Sequence, residues 1–187
     1  MPLILASRSP RRKKILEELG IPFRIIPSAV SEKIVSKGKL SPAKLVKILA
    51  LRKAQNVASR LKEGLVLGAD TVVVLRGKII GKPEDEADAR KILGQLSGSL
   101  HWVYTGLALI KKPGEKKIVG FEKTRVLMRK FSGQEIKKLA GKHLDKAGAY
   151  AIQESEDQFV EKIEGDYNNV VGLPVKKLQQ MLRKIGE

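Results

Sequence analysis

The sequence of 187 residues contains no cysteine. That excludes disulfides, thiolate metal sites and a cysteine nucleophile, and it fits a reducing compartment. Histidine occurs only twice, which leaves little room for a His-rich metal site. Aromatic residues make up 4%, which argues against a base-stacking platform. No apolar run approaches the roughly 18 residues of a transmembrane helix. The opening Met1-Pro2-Leu3-Ile4-Leu5-Ala6-Ser7 is apolar for too few residues to act as a secretory signal. A cytoplasmic protein is therefore expected. Familiar phosphate and catalytic signatures are also missing. There is no G-x-x-x-x-G-K-[ST], no G-x-G-x-x-G, no H-E-x-x-H and no G-x-S-x-G elbow. Phosphate handling, if present, is not of the P-loop or Rossmann kind.

Apolar residues make up 42%, enough for a real core in one domain or one two-lobed unit. The net charge is +17. It points either to an anionic partner or to a lysine-rich solvated surface such as heat-adapted proteins carry. The charge is spread over nearly every segment, which favours the solvated surface for most of the lysines.

Leu3 to Ala6 reads as a short buried strand. Ser9-Pro10 is a helix cap followed by proline at the first helical position, and Gly20 marks the stop. Phe23 to Ile26 reads as a second strand and residues 28–40 as a loop. Ser41-Pro42 opens another helix, with an apolar stripe to about Leu61. Leu65 to Leu75 is a β-forming run that Gly68-Ala69-Asp70-Thr71 is expected to interrupt. Arg76-Gly77 turns the chain into Lys78-Ile79-Ile80. Glu84 to Leu96 reads as helix, His101 to Ile110 and Ile118 to Met128 as strands. Ser132-Gly133-Gln134-Glu135 is a capping box. Ala149 to Ile152 and Phe159 to Ile163 read as strands, and Pro174 opens the last helix. Alternating strands and helices followed by hairpins imply an α/β fold with a mixed sheet. No linker divides the chain, so residues 1–187 are expected to form a single domain.

Several constellations carry chemistry. In Ala6-Ser7-Arg8-Ser9-Pro10-Arg11-Arg12 a strand runs into a helix N-terminus, whose N–H groups and dipole attract anions. Serine hydroxyls and arginines suit phosphate there. The same residues also read as an ordinary capped helix, although first-turn arginines oppose the dipole and need another reason. Asp70 sits in a run that asks to be buried, and a buried carboxylate requires a cation or a metal. It also reads as a strand-end cap, although Gly68 favours a site by letting backbone or ligand approach closely. Lys82, fixed between Gly81 and Pro83, suits a phosphate as a point charge and equally suits plain solvation. Lys53 and Glu32 say nothing by spacing alone. His101 and His143 read as structural.

Taken in order, these residues resemble the Maf family, the septum-formation-associated nucleotide pyrophosphatases. The match covers Leu5 to Arg12, Lys53-Ala54, Gly68 to Val73 and Gly81-Lys82-Pro83. It continues through Leu96-Ser97-Gly98 with His101, Val103 and Thr105. It then takes in Asp145 to Tyr150, Ile152-Gln153, and Gly165 through Pro174. The resemblance implies a fold like that of the inosine triphosphate pyrophosphatases: an elongated mixed sheet flanked by helices, with two lobes around a cleft. It implies hydrolysis between the α- and β-phosphates of a nucleoside triphosphate, with Mg²⁺ or Mn²⁺ as cofactor. Asp70 matches the proton acceptor, and Glu32, Lys53 and Lys82 fall at cleft positions. Glu32 and Asp70 would bind the metal. Ser7, Ser9 and Arg12 would hold the triphosphate. Arg11, Thr71 and Gln153 match the subtype acting on dTTP and UTP rather than the one acting on 7-methyl-GTP. The chain departs from the family at Glu154, where glycine is usual, and at Leu139, where tyrosine is frequent.

Two other classes compete. A nucleic-acid-binding protein rests on the net charge of +17 alone. A septation-restraining interaction protein rests on the family's name. Neither gives a reason for Asp70. The expected partner is a nucleotide, with no membrane and no nucleic acid. A homodimer is compatible with the sequence, which marks no surface for it.

Overall fold

The computed structural model describes residues 1–30, 40–114, 116–152 and 159–186. Its centre is a mixed sheet in the order β2-β1-β3-β5-β6-β7, with β4 added to β3. The strands are β1 (Leu3–Leu5), β2 (Phe23–Ile25), β3 (Gly64–Leu75), β4 (Lys78–Ile80), β5 (Leu100–Lys112), β6 (Lys116–Met128) and β7 (Val160–Glu164). β1 runs parallel to β2 and β3, and the other pairings are antiparallel. Helices α1 (Pro10–Glu18), α2 (Pro42–Ala58), α3 (Glu86–Leu96), α4 (Gly133–Leu139), α5 (Tyr167–Val171) and α6 (Val175–Gly186) cover it. No helix among the described residues is long and apolar enough to cross a membrane.

Local chemistry sets the helix starts. Ser9 and Ser41 each accept a backbone N–H from the first turn ahead of a proline. Ser132 and Glu135 form the reciprocal capping box that the sequence announced. The phase of α1 turns Arg12, Ile15 and Leu16 inward. That of α2 buries Leu45, Leu49, Lys53 and Val57, each four residues from the last, so Lys53 lies on the core-facing stripe.

β3 is the spine. Its alternation sends Leu67, Ala69, Thr71, Val73 and Leu75 to one face and Val66, Gly68, Asp70, Val72 and Val74 to the other. On the first face Leu67 and Ala69 join a core with Ile15, Leu16, Leu178 and Met181. Val73 and Leu75 join a second core with Leu93, Leu96, Leu139 and Phe159. Thr71 falls between the two. On the opposite face α2 lies directly on the sheet.

The expected interruption at residues 68–71 does not occur; β3 is continuous. Gly68 is there for proximity, not for a break. A Cβ at Gly68 would lie 2.2 Å from the Ala50 carbonyl oxygen, and one at Gly106 2.2 Å from that of Val46. The two glycines let the α2 backbone rest on β3 and β5. The expected strand at residues 149–152 is absent too. Ala147–Ala149 forms a 3₁₀ turn, with Gly148 at φ 77° and Ala149 at φ 56°, and the chain does not rejoin the sheet there. α5 was not foreseen; Asp166 caps it by accepting the Asn169 N–H.

Candidate active site

β1 ends at Leu5, its last register partner on β3 being Leu67, while β4 pairs with β3 only from Val73 onward. Residues 68–72 therefore have no neighbouring strand on that edge among the described residues. From β1 the chain crosses by α1 to β2 on one flank of β1, while β3 lies on its other flank. Ligand sites form at such switch points, beyond the carboxyl ends of strands. A cavity of about 870 Å³ opens here, lined by Ser7, Ser9, Arg11, Arg12, Lys53, Asp70, Thr71 and Lys82, among others. At this edge both faces of β3 are reachable. Asp70 enters the cavity from one and Thr71 from the other.

Asp70 and Lys53 are both buried, and Lys53 Nζ donates to Asp70 Oδ1 at 2.6 Å. The ammonium compensates a carboxylate whose burial would otherwise be prohibitive. The pair joins α2 to β3, which is why the close seat of α2 on Gly68 matters for the site.

The loop between β1 and α1 is organised around Ser7. Its Oγ accepts from the Ser9 N–H at 3.2 Å and from Arg12 Nη1 at 3.0 Å. With both acceptor positions filled, Ser7, which lines the cavity, keeps its hydroxyl proton to donate. Arg12 answers why arginine occupies a first helical turn. It is buried, its Nε donates to the Gly172 carbonyl at 2.8 Å, and its Nη2 donates to Thr71 Oγ1 at 3.1 Å. Arg12 thus ties the loop, β3 and the end of α5 together. The sequence reading put Arg11 with Thr71 and Arg12 on phosphate. The structure brings Arg12, not Arg11, to Thr71. Arg11 lines the cavity and faces Asp145 instead. Burial pushes the Asp145 carboxyl up, but the Lys146 ammonium and Arg11 outweigh it and hold it below its ordinary range.

Lys82 is exposed at the cavity mouth. The Gly148 N–H donates to the Gly81 carbonyl at 3.0 Å, which fixes the Lys82 loop against the 3₁₀ turn. Glu32 and Gln153, with the departure at Glu154, lie outside the described residues.

Sequence reasoning missed several participants. Lys146 and Tyr150 line the cavity. Tyr150 is buried, and its hydroxyl is 2.8 Å from His101 Nε2. Thr105 and Asn169 are fully buried and reach Thr71 through a hydrogen-bonded chain. Polar residues at inward strand positions were the available signal for Thr105.

The residues near Asp70 can be tested against the implied metal. Among the described residues no group of three His, Cys, Asp or Glu could hold a metal ion. One buried carboxylate fits a hard cation that takes its remaining oxygens from water and substrate phosphates, as Mg²⁺ does.

The arrangement can be set beside known proteins. A dTTP/UTP pyrophosphatase from Elusimicrobium minutum is 45% identical over 186 residues, covering 100% of both chains. One from Pelotomaculum thermopropionicum is 46% identical over 186 residues, covering 98% of this chain and 96% of that protein. Among solved structures, a HAM1 protein from Coxiella burnetii superposes with a TM-score of 0.51 at 14% identity, covering 98% of this chain and 99% of that one. That likeness concerns the fold alone. The family described as Maf-like protein matches residues 2–185, so the chain belongs to the Maf family.

Proposed function

We propose that this protein hydrolyses dTTP and UTP to the monophosphate and pyrophosphate. The single observation that carries the reading is the buried Asp70–Lys53 pair opening into a cavity with a serine- and arginine-rich helix N-terminus. Two relatives bearing the name dTTP/UTP pyrophosphatase, matched over 100% and 96% of their length, support it.

Cleavage of the α–β phosphoanhydride needs a positioned water, a proton acceptor and compensation of phosphate charge. Asp70 accepts the proton of the attacking water. Lys53 holds the Asp70 carboxylate in place. Ser7, by its donor hydroxyl, Ser9 and the first turn of α1 bind phosphate oxygens. Lys82 reaches the triphosphate from the mouth. Arg12 orders the floor of the cleft and, with Thr71 and Gln153, borders the base. Asp70 and Glu32 would hold a Mg²⁺ or Mn²⁺ ion, which would supply charge neutralisation and lower the pKa of a water. The described residues fit this role only with the substrate as co-ligand.

The test is pyrophosphate release from dTTP, UTP, CTP, GTP and 7-methyl-GTP, with divalent metal and with chelator. Metal-dependent release from dTTP and UTP is the expected result. Asp70→Asn is expected to abolish nearly all turnover and keep the fold, by circular dichroism. Normal turnover in that variant would remove Asp70 from the mechanism. No release from any triphosphate by folded protein would end the enzyme reading.

A further inference from the structure

Thr71 Oγ1 lies 3.0 Å from Thr105 Oγ1, and either hydroxyl has the geometry to donate. The surroundings decide which does. Thr105 Oγ1 also lies 2.9 Å from the Asn169 carbonyl oxygen, which can only accept. Thr105 has one proton, and it goes to that carbonyl. Its oxygen must then accept from Thr71. At the other end Arg12 Nη2 donates to Thr71 Oγ1 at 3.1 Å, and a guanidinium never accepts. The chain Arg12→Thr71→Thr105→Asn169 is therefore directional, fixed at both ends by groups that cannot reverse.

Asn169 is itself immobilised. Its N–H donates to Asp166 Oδ1 at 3.2 Å. Its amide nitrogen donates to the Val103 carbonyl at 3.0 Å and to Thr124 Oγ1 at 2.9 Å. A flipped amide would set its oxygen against the Val103 carbonyl. Thr124 gives its own proton to the Asp166 carbonyl at 3.0 Å. Thr105, Thr124 and Asn169 are all fully buried, so water offers no alternative partner.

We infer that Thr105, held by Asn169, is a positioning residue that locks the Thr71 hydroxyl as a hydrogen-bond acceptor toward the cavity. The lock favours bases that present a ring N–H there. The inference rests on the proposed reading of the site as a pyrimidine nucleotide pocket. Thr71 spends its proton on Thr105 and one acceptor position on Arg12. One acceptor position remains uncommitted, and Thr71 lines the cavity. Thymine and uracil carry a donor at N3; cytosine carries an acceptor there. An acceptor-locked Thr71 meets the first two with a hydrogen bond and the third with lone-pair repulsion. A freely rotating threonine would serve both kinds of base, since a hydroxyl can donate or accept.

The experiment compares wild type, Thr105→Val and Thr105→Ser. It uses pyrophosphate release from UTP and CTP, and calorimetric binding of their α,β-methylene analogues. Wild type is expected to prefer UTP. Thr105→Val frees the Thr71 proton to reach cytosine N3, so the UTP:CTP ratio of kcat/KM is expected to fall roughly tenfold, the scale of one hydrogen bond. Thr105→Ser restores the acceptor and is expected to restore the ratio. A merely structural role would lower both activities together and leave their ratio unchanged. A folded Thr105→Val that keeps the full preference overturns the lock. N3-methyl-UTP with wild type tests the same contact without any variant: handling equal to UTP overturns the lock, and rejection supports it. Wild type that releases pyrophosphate equally from UTP and CTP overturns the lock and leaves the pyrophosphatase reading standing. Wild type that releases none but binds the UTP analogue over the CTP analogue removes the pyrophosphatase reading and supports the lock.

Discussion

Adding one methyl group at Gly68 is expected to disable the site from beneath. An ideal Cβ there would lie 2.2 Å from the Ala50 carbonyl oxygen, 2.8 Å from the Ala54 nitrogen and 3.0 Å from the Ala54 Cβ. All three atoms belong to α2, so no flexible side chain can give way. Non-bonded atoms settle near 3.5 Å or beyond, so α2 must retreat by roughly 1 Å. Overpacking of this kind costs about 1–3 kcal/mol. Ala50 and Ala54 bracket Lys53, whose Nζ stands 2.6 Å from Asp70 Oδ1. A shift of about 1 Å at a catalytic group can cost about a hundredfold in rate. Gly68→Ala is thus expected to unfold at lower urea and to release pyrophosphate far more slowly. Gly94→Ala is the control. It sits in α3, its Cβ would meet nothing within 4 Å, and the change should stabilise by about 0.5–1 kcal/mol. A Gly68→Ala protein with wild-type urea midpoint and turnover would refute the claim that backbone contact sets the Lys53–Asp70 geometry.

Lys53→Met leaves the buried Asp70 carboxylate without its ammonium and is expected to cost about 3–5 kcal/mol in urea unfolding. The Lys53→Met/Asp70→Asn double variant should recover much of that loss; additive losses would show that the pair is not coupled. His101 governs stability in acid. Burial lowers its pKa from 6.5 to about 4, so the unfolded chain takes up a proton that the folded chain refuses. Stability is unaffected above the unfolded value and falls as pH drops from 6.5 toward 4, by about 3 kcal/mol in all. Urea midpoints across that interval should be flatter for His101→Gln, and an unchanged slope would discount His101 as the cause.

What was legible in the sequence was mainly local. Ser9-Pro10, Ser41-Pro42 and Ser132 with Glu135 announce helix starts because a cap is satisfied within one turn. The order of the alternating strands and helices was legible for the same reason. Gly68 was legible as a point of close approach but not as part of an unbroken strand, because the backbone it admits belongs to a helix that begins 26 residues earlier in the chain, at Pro42. Residues 149–152 looked like a strand because they are apolar, whereas the positive φ at Gly148 and Ala149 closes a turn. Two signals were present and passed over. Arg12 is in helical phase with Ile15 and Leu16, which places it rather than Arg11 inside. Lys53 repeats the four-residue spacing of Leu45, Leu49 and Val57. By contrast, nothing local links Thr71 to Thr105 and Asn169, which meet only through sheet register and a short helix near the far end of the chain.

The bond from Arg12 to the Gly172 carbonyl spans 160 residues. A ribosome delivers the acceptor 160 residues after the arginine. Until residues near Gly172 emerge, α1 carries a guanidinium that cannot be buried at full compensation, and the floor of the cleft stays open. A chain broken off before that point therefore has its β1–α1 loop without the tie that orders it. The order of the cleft floor thus belongs to the assembled fold and not to α1 by itself.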